Sequence, residues 1–169
     1  MQKIIISNVK DGDYKGLNLN EIFDPGGKHK HSFEFQRSDV SLPFSQGWGK
    51  LEIQFYTLQP GKANYPYHYH TANEEVFYVI SGQGTLKTPD GEKTVSEGDV
   101  IVMPAHENGA HMLINNFDAP LTYIEIQTVN SPDVAIRPED GKFCIIGGPK
   151  EVFLKTFKTD SSVNYLADE

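Results

Sequence analysis

Turn residues interrupt this chain about every ten positions, and the stretches between them are too short for anything but strands. Lys50 to Leu58 alternates and stops at Pro60-Gly61. Tyr65 to His70 and Glu75 to Ser81 follow. Gly84 to Thr88 and Lys93 to Ser96 flank Pro89-Asp90-Gly91, a hairpin turn. Asp99 to Met103 runs into Pro104, and His111 to Ile114 and Leu121 to Thr128 close the series. Fifteen glycines and ten prolines in 169 residues favour short strands joined by turns over long helices. The expected fold is all-β, a sandwich or barrel.

The flanks read differently. Residues 1–46 form an N-terminal extension, with candidate strands at Ile4 to Ile6 and Ser32 to Phe35 and a turn at Asp24-Pro25-Gly26-Gly27. Residues 47–130 hold the strand series. Residues 131–169 form a polar C-terminal extension broken by Pro132, Pro138 and Gly147-Gly148-Pro149. It has room for a strand at Phe143 to Ile146 and a short helix or strand at Glu151 to Phe157.

A net charge of −8 argues against nucleic-acid or anionic-membrane partners, which need a cationic surface. The flanks lack the helical periodicity of a helix-turn-helix. The single cysteine, Cys144, permits neither an internal disulfide nor a cysteine zinc cluster. The opening apolar run, Ile4-Ile5-Ile6, is too short for a signal peptide or a membrane helix. A cytoplasmic location is the expectation.

The chemistry concentrates at Tyr67-His68-Tyr69-His70. Side chains two apart on a strand share a face, so His68 and His70 point together. Thr71 to Glu74 connects them to a strand that opens with Glu75, across the hairpin from the two imidazoles. Two imidazoles and a carboxylate suit Zn, Mn, Fe, Ni or Cu. A distant strand must supply a fourth ligand, and His111 and His106 are the candidates. His29-Lys30-His31 repeats the pattern without a following carboxylate and reads as an exposed strand. Glu74 has the wrong parity and reads as solvent-facing.

These residues resemble the cupin superfamily. Its first motif matches Gly61, His68, His70, Glu75 and Gly82, with the gap before His68 one residue longer than the consensus. Its second matches Gly98, Pro104, His111 and Asn115, with the stretch from Pro104 to His111 two residues longer. The kept His-x-x-x-Asn ending favours His111 over His106. The resemblance covers roughly residues 50 to 128. It implies a double-stranded β-helix, or jelly-roll barrel, around one divalent metal ion held by His68, His70, Glu75 and His111. It also implies a homodimer, for which the N-terminal strands would pair or cover edges.

Proteins of this family include sugar-phosphate isomerases, oxalate-acting enzymes, dioxygenases and sugar-binding proteins, and the fold does not choose among them. The site implies a metal-dependent isomerase or dioxygenase acting on a small polar metabolite, a sugar or a hydroxy or keto acid, held in the barrel. The alternative is a non-catalytic small-molecule binding protein. A phosphate-bearing substrate needs a cation near the metal, and the histidine strands carry none; Lys50, Lys62 and Lys87 are the nearest in sequence. Tyr123, Glu125 and Gln127 share one face of a late strand. If that face lines the barrel, Tyr123 and Glu125 are candidate catalytic groups. The plainer expectation for it is solvent or a subunit surface. Trp48, Phe55 and Tyr56 are candidates for pocket walls, though core or interface packing is the plainer role.

Overall fold

The computed structural model describes residues 14–24, 26–39, 49–147 and 155–161. Ile4 to Ile6, Trp48 and residues 151–154 of the last proposed element lie outside the described residues. Among the described residues fourteen strands carry the fold, and the one α-helix, α1 (Asn20–Phe23), is a single turn. The strands are β1 (Lys15–Asn18), β2 (Ser32–Asp39), β3 (Leu51–Leu58), β4 (Lys62–Ala63), β5 (Tyr69–His70), β6 (Glu75–Ser81) and β7 (Gln83–Thr88). They continue with β8 (Gly91–Ser96), β9 (Val100–Met103), β10 (Met112–Ile114), β11 (Leu121–Thr128), β12 (Asp133–Arg137), β13 (Lys142–Ile146) and β14 (Lys155–Lys158).

Ten strands form one curled sheet in the order β8-β7-β10-β4-β2-β3-β11-β6-β9, with β1 paired to β2. Its curl is visible in the core. Val95 from β8 and Met103 from β9, at opposite ends of that order, pack into one cluster with Tyr56, Phe77, Val79, Leu121 and Tyr123. Within that cluster Tyr56 and Tyr123 stack with centroids 5.0 Å apart and planes 6° from parallel. The N-terminal strand β2 is inserted between β4 and β3 of its own chain, so the N-terminal extension completes this barrel. A second sheet runs β14-β13-β12-β5 and brings the C-terminal extension against the histidine strand.

Strand parity decides which side chains meet inside. On β6, Glu75, Phe77 and Val79 are buried while Tyr78 is exposed. On β3, Gln54, Tyr56 and Leu58 are buried. The hairpin read at Pro89-Asp90-Gly91 is present, with Thr88 opposite Gly91 and the Thr88 hydroxyl donating to the Gly91 carbonyl at 2.8 Å. Gly82 closes β6 at φ +85°, and a Cβ there would stand 2.3 Å from the Pro120 carbonyl oxygen. Only glycine fits that crossing.

Three local expectations change. The expected strand Tyr65 to His70 shrinks to β5, with a single isolated bridge between His68 and His111 ahead of it. His29 to His31 lie in bends ahead of β2, and His31 is followed at once by that strand. Among the described residues the polar C-terminal extension holds three strands, one more than expected, because β12 forms between the breakers Pro132 and Pro138. No described helix is long and apolar enough to cross a membrane.

Candidate metal centre

The His68–His111 bridge brings the two sequence motifs into contact. The His68 amide donates to the His111 carbonyl at 3.1 Å and the His111 amide to the His68 carbonyl at 2.8 Å. The ring centroids are 4.8 Å apart. His70 follows two residues on, and Glu75 opens β6 opposite. Ligand atoms of His68, His70 and Glu75 all lie within 4.8 Å of one another. His111 Nε2 stands 3.4 Å from Glu75 Oε2, and His70 Nε2 stands 3.8 Å from Oε1. Donor atoms held at about 2.1 Å from one ion lie about 3 to 4 Å apart, so these separations suit a shared ion.

Each imidazole has its other nitrogen occupied. Nδ1 of His68 donates to the Pro66 carbonyl at 2.8 Å, and Nδ1 of His111 to the Gly109 carbonyl at 2.9 Å. Nδ1 of His70 donates to Asp133 at 2.5 Å. A carbonyl or carboxylate on Nδ1 puts the proton there and leaves the Nε2 lone pair facing the cluster. Nε2 of His111 is buried and makes no hydrogen bond. Burial without a partner is costly for that atom, and a metal ion would satisfy it. Burial and the neighbouring His111 and His70 push His68 well below the ordinary histidine range, which keeps it neutral. Burial also opposes a charge on His70, but Asp133 and Glu75 outweigh it and raise its pKa.

The rival ligand is elsewhere. The His106 side chain is exposed, and its contribution is a backbone N–H donated to the His70 carbonyl at 2.7 Å. The stretched Pro104-to-His111 loop is a turn of 3-10 helix at Glu107–Gly109. It works because residue 109 is glycine: a Cβ would fall 1.8 Å from the Pro104 carbonyl oxygen. Asn115 is buried and ties the strand end down, donating to the Leu58 and Ala119 carbonyls at 2.9 Å each. His29 pairs with Asp140 at 3.3 Å, and Glu74 is solvent-exposed.

The face of β11 is a correction. Tyr123 is fully buried and Glu125 nearly so, while Ile124 and Ile126 point outward. Tyr123 and Glu125 therefore line the interior, and neither solvent nor a subunit covers them. Burial, then the Glu75 and Glu52 carboxylates, push Glu125 well above the ordinary carboxylate range. Burial, then Glu125, push the Tyr123 and Tyr56 phenols up as well. Tyr56 is an inner wall residue, whereas Phe55 is half-buried on the outer face.

Two contributors lay outside any motif. Asp133, on β12, has a fully buried side chain and holds His70. Arg37 shares the inward parity of Phe33 and Phe35 on β2. Its Nη1 lies 3.5 Å from the Tyr65 hydroxyl, beside the Tyr56 hydroxyl 3.4 Å from that same oxygen. Burial, then Glu125, raise Tyr65 to about 12. Of the three lysines flagged in sequence, two are committed to acids: Lys62 sits 3.1 Å from Glu34 and Lys87 2.5 Å from Glu139. The nearest signal for Asp133 was its place just after Pro132, and for Arg37 the alternation of Phe33, Phe35 and Arg37.

This is a small all-β barrel with a buried His–His–Glu cluster at its centre. The family model described as a cupin domain matches residues 54–127, and the chain's fold is that of the cupin superfamily. No curated protein gives a significant sequence match. Among solved structures, the chain is similar to a cupin-superfamily sugar phosphate isomerase from Silicibacter pomeroyi, at 21% identity and TM-score 0.71, covering 94% of this chain and 96% of that one. A candidate sugar phosphate isomerase from Acidithiobacillus ferrooxidans aligns at 23% identity and TM-score 0.69, covering 96% and 97%. KdgF from a Halomonas species aligns at 17% identity and TM-score 0.53, covering 77% and 96%. Likeness at these identities speaks to the fold.

Proposed function

We propose that this cupin is a metal-dependent isomerase acting on a small polyhydroxylated carbonyl compound, a sugar or a hydroxy or keto acid. The observation that carries the reading is Glu125. It is a buried carboxyl in the same interior as the histidine cluster, and it is neither one of the three side chains that converge there nor His111, which adjoins Glu75.

His68, His70, Glu75 and His111 would hold one divalent ion of the Zn, Mn, Fe or Ni kind. An ion bound there supplies Lewis acidity toward a substrate carbonyl or hydroxyl. Asp133, Pro66 and Gly109 keep the three imidazoles oriented and in the right tautomer. Burial and the Glu75 and Glu52 carboxylates make Glu125 hold its proton more tightly than an ordinary carboxyl does, so it can give a proton to one substrate atom and take one from the next. Isomerisation needs both movements. Arg37, at the Tyr65 end of the interior, is paired with Asp39 at 3.0 Å, and an acidic group on the substrate would share it with that carboxylate. The two solved structures that align along nearly the whole chain, both described as sugar phosphate isomerases, support the same class. Oxygenation uses the same donor set, but it gives no role to a second buried carboxyl in the interior.

The test is a panel of aldoses, ketoses and their phosphates, with protein reconstituted separately with Mn(II), Fe(II), Ni(II) and Zn(II). Interconversion should appear with at least one metal and vanish in His68→Ala. Glu125→Gln should lower kcat by about 100-fold or more while the metal stays bound. Turnover that survives His68→Ala overturns the reading, as does a ligand that co-purifies and is never converted.

A further inference from the structure

The loop that carries the chain from Pro104 to His111 has a strained backbone. His106 sits at φ +72° and ψ −176°, a conformation ordinarily reserved for glycine. Two backbone bonds hold it there. Its amide donates to the His70 carbonyl at 2.7 Å, and its carbonyl accepts the Gly109 amide at 3.0 Å. A short segment that stores strain behind so few bonds opens locally more readily than the sheet around it. The same loop presents Asn108, exposed and directly before Gly109. Of the ten asparagines in the chain, it is the one followed by glycine.

An asparagine before a glycine is chemically labile, because a glycine amide with no side chain beside it can reach the asparagine carboxamide. The Gly109 nitrogen attacks Asn108 Cγ. A new N–Cγ bond forms, the Cγ–Nδ2 bond breaks, and ammonia leaves with the Gly109 amide proton. Water then opens the five-membered imide at one of its two carbonyls, which leaves an aspartyl or an isoaspartyl residue. In the closed loop the Gly109 N–H is held by His106, so attack waits for the loop to open.

The isoaspartyl product carries one extra methylene in the main chain. Gly109 has no room to shift inward: even a Cβ there would stand 1.8 Å from the Pro104 carbonyl oxygen. Gly109 also supplies the carbonyl that takes the His111 Nδ1 proton at 2.9 Å. Displacing it loosens His111, whose backbone bridge to His68 joins the two halves of the cluster.

We propose that Asn108-Gly109 is a spontaneous deamidation site gated by the strained His106 loop, and that its isoaspartyl product disassembles the His111 side of the metal centre. Metal held by His111 braces the loop. Loss of metal therefore speeds the modification, and the modification then bars its return. The part that concerns metal rests on the metal-holding reading above, whereas the chemistry at Asn108 does not.

The test ages the full chain at about 37 °C, loaded with Zn(II) or stripped by chelator, and follows every asparagine by peptide mass spectrometry. Asn108 should convert about 10-fold or more faster than any other asparagine, and faster again in chelator. Hydrogen exchange at the Gly109 amide should quicken in chelator alongside it. In the isoaspartyl fraction the His111 amide should lose its exchange protection, and Zn(II) should no longer bind stoichiometrically. Asn108→Asp adds the charge without the extra methylene and should keep both. Four results overturn the proposal. They are conversion at Asn108 no faster than elsewhere, a rate indifferent to chelator in a chain that binds Zn(II), isoaspartyl protein with His111 still protected, and Asn108→Asp that loses metal as the isoaspartyl form does. A chain that never binds metal would sink the function proposed above. Conversion at Asn108 and the protection of His111 would still decide this proposal.

Discussion

Asp133 Oδ2 lies 2.5 Å from His70 Nδ1, although the two residues are 63 positions apart. The other carboxylate oxygen accepts the Ala72 amide at 2.8 Å and the Asn73 amide at 3.4 Å. One C-terminal side chain thus orients a histidine and pins the loop that spaces it from Glu75. Outer carboxylates of this kind typically contribute 10- to 100-fold to metal affinity. Asp133→Asn is therefore expected to weaken divalent-metal binding by about that factor, read by competition with a chromophoric chelator, with the β-sheet circular dichroism retained.

His111 and His106 should separate cleanly. His111→Ala removes a buried ring whose Nε2 is 3.4 Å from Glu75, while His106→Ala removes an exposed one. The expected outcome is loss of stoichiometric metal in the first variant and one metal per chain in the second, both measured by elemental analysis. Equal loss in both would mean that the loop, and not the ring, sets the fourth position.

Metal removal should destabilise the protein. A ligand present at about 100 times its Kd adds about 2.7 kcal/mol to the folded state. For a domain of this size that corresponds to a Tm lower by about 5 to 10 °C in excess chelator. Readdition of the metal should restore it, and the His68→Ala protein should show no difference between the two conditions.

Glu125 gives a pH signature in the metal-free protein. Its folded pKa is raised by burial and by Glu75, so the native state binds its proton more tightly than the unfolded state does. Its contribution to stability is therefore largest at low pH and is lost as pH rises from the ordinary carboxylate range through the raised pKa. Glu125→Gln removes that dependence. Its Tm should exceed that of the unmodified apo-protein near and above neutral pH, and the gap should close as pH falls towards 4. A gap that widens on acidification would contradict the assignment.

Gly109→Ala should be severe for so small a change. The added methyl meets the Pro104 carbonyl at 1.8 Å, and Gly109 itself supplies the carbonyl that holds His111 Nδ1. A loss of about 2 kcal/mol or more in urea unfolding is expected, together with weaker metal binding.

Much of this site was legible from local rules. His68 and His70 two apart, and Glu75 after a short connection, lie together because strand parity and hairpin closure act over a few residues. The Pro89-Asp90-Gly91 turn was readable for the same reason. The face of β11 was not. Its inward side carries Tyr123 and Glu125 and its outward side Ile124 and Ile126, the reverse of the usual polar-out pattern. Alternation marks two faces but cannot say which is inside when the interior is a polar site and the exterior an apolar surface. Hydrophobicity alone favours the wrong one.

By itself, then, the sequence determined short alternating strands, a barrel, and three metal-competent side chains on one hairpin, since each depends on neighbours within a few positions. Tertiary structure alone decided that His111 meets His68 across a backbone bridge, that Asp133 arrives from β12 to hold His70, and that Arg37 and Glu125 share the interior. Those pairings close loops of tens of residues, and their geometry depends on how a ten-stranded sheet curls, which no local pattern encodes.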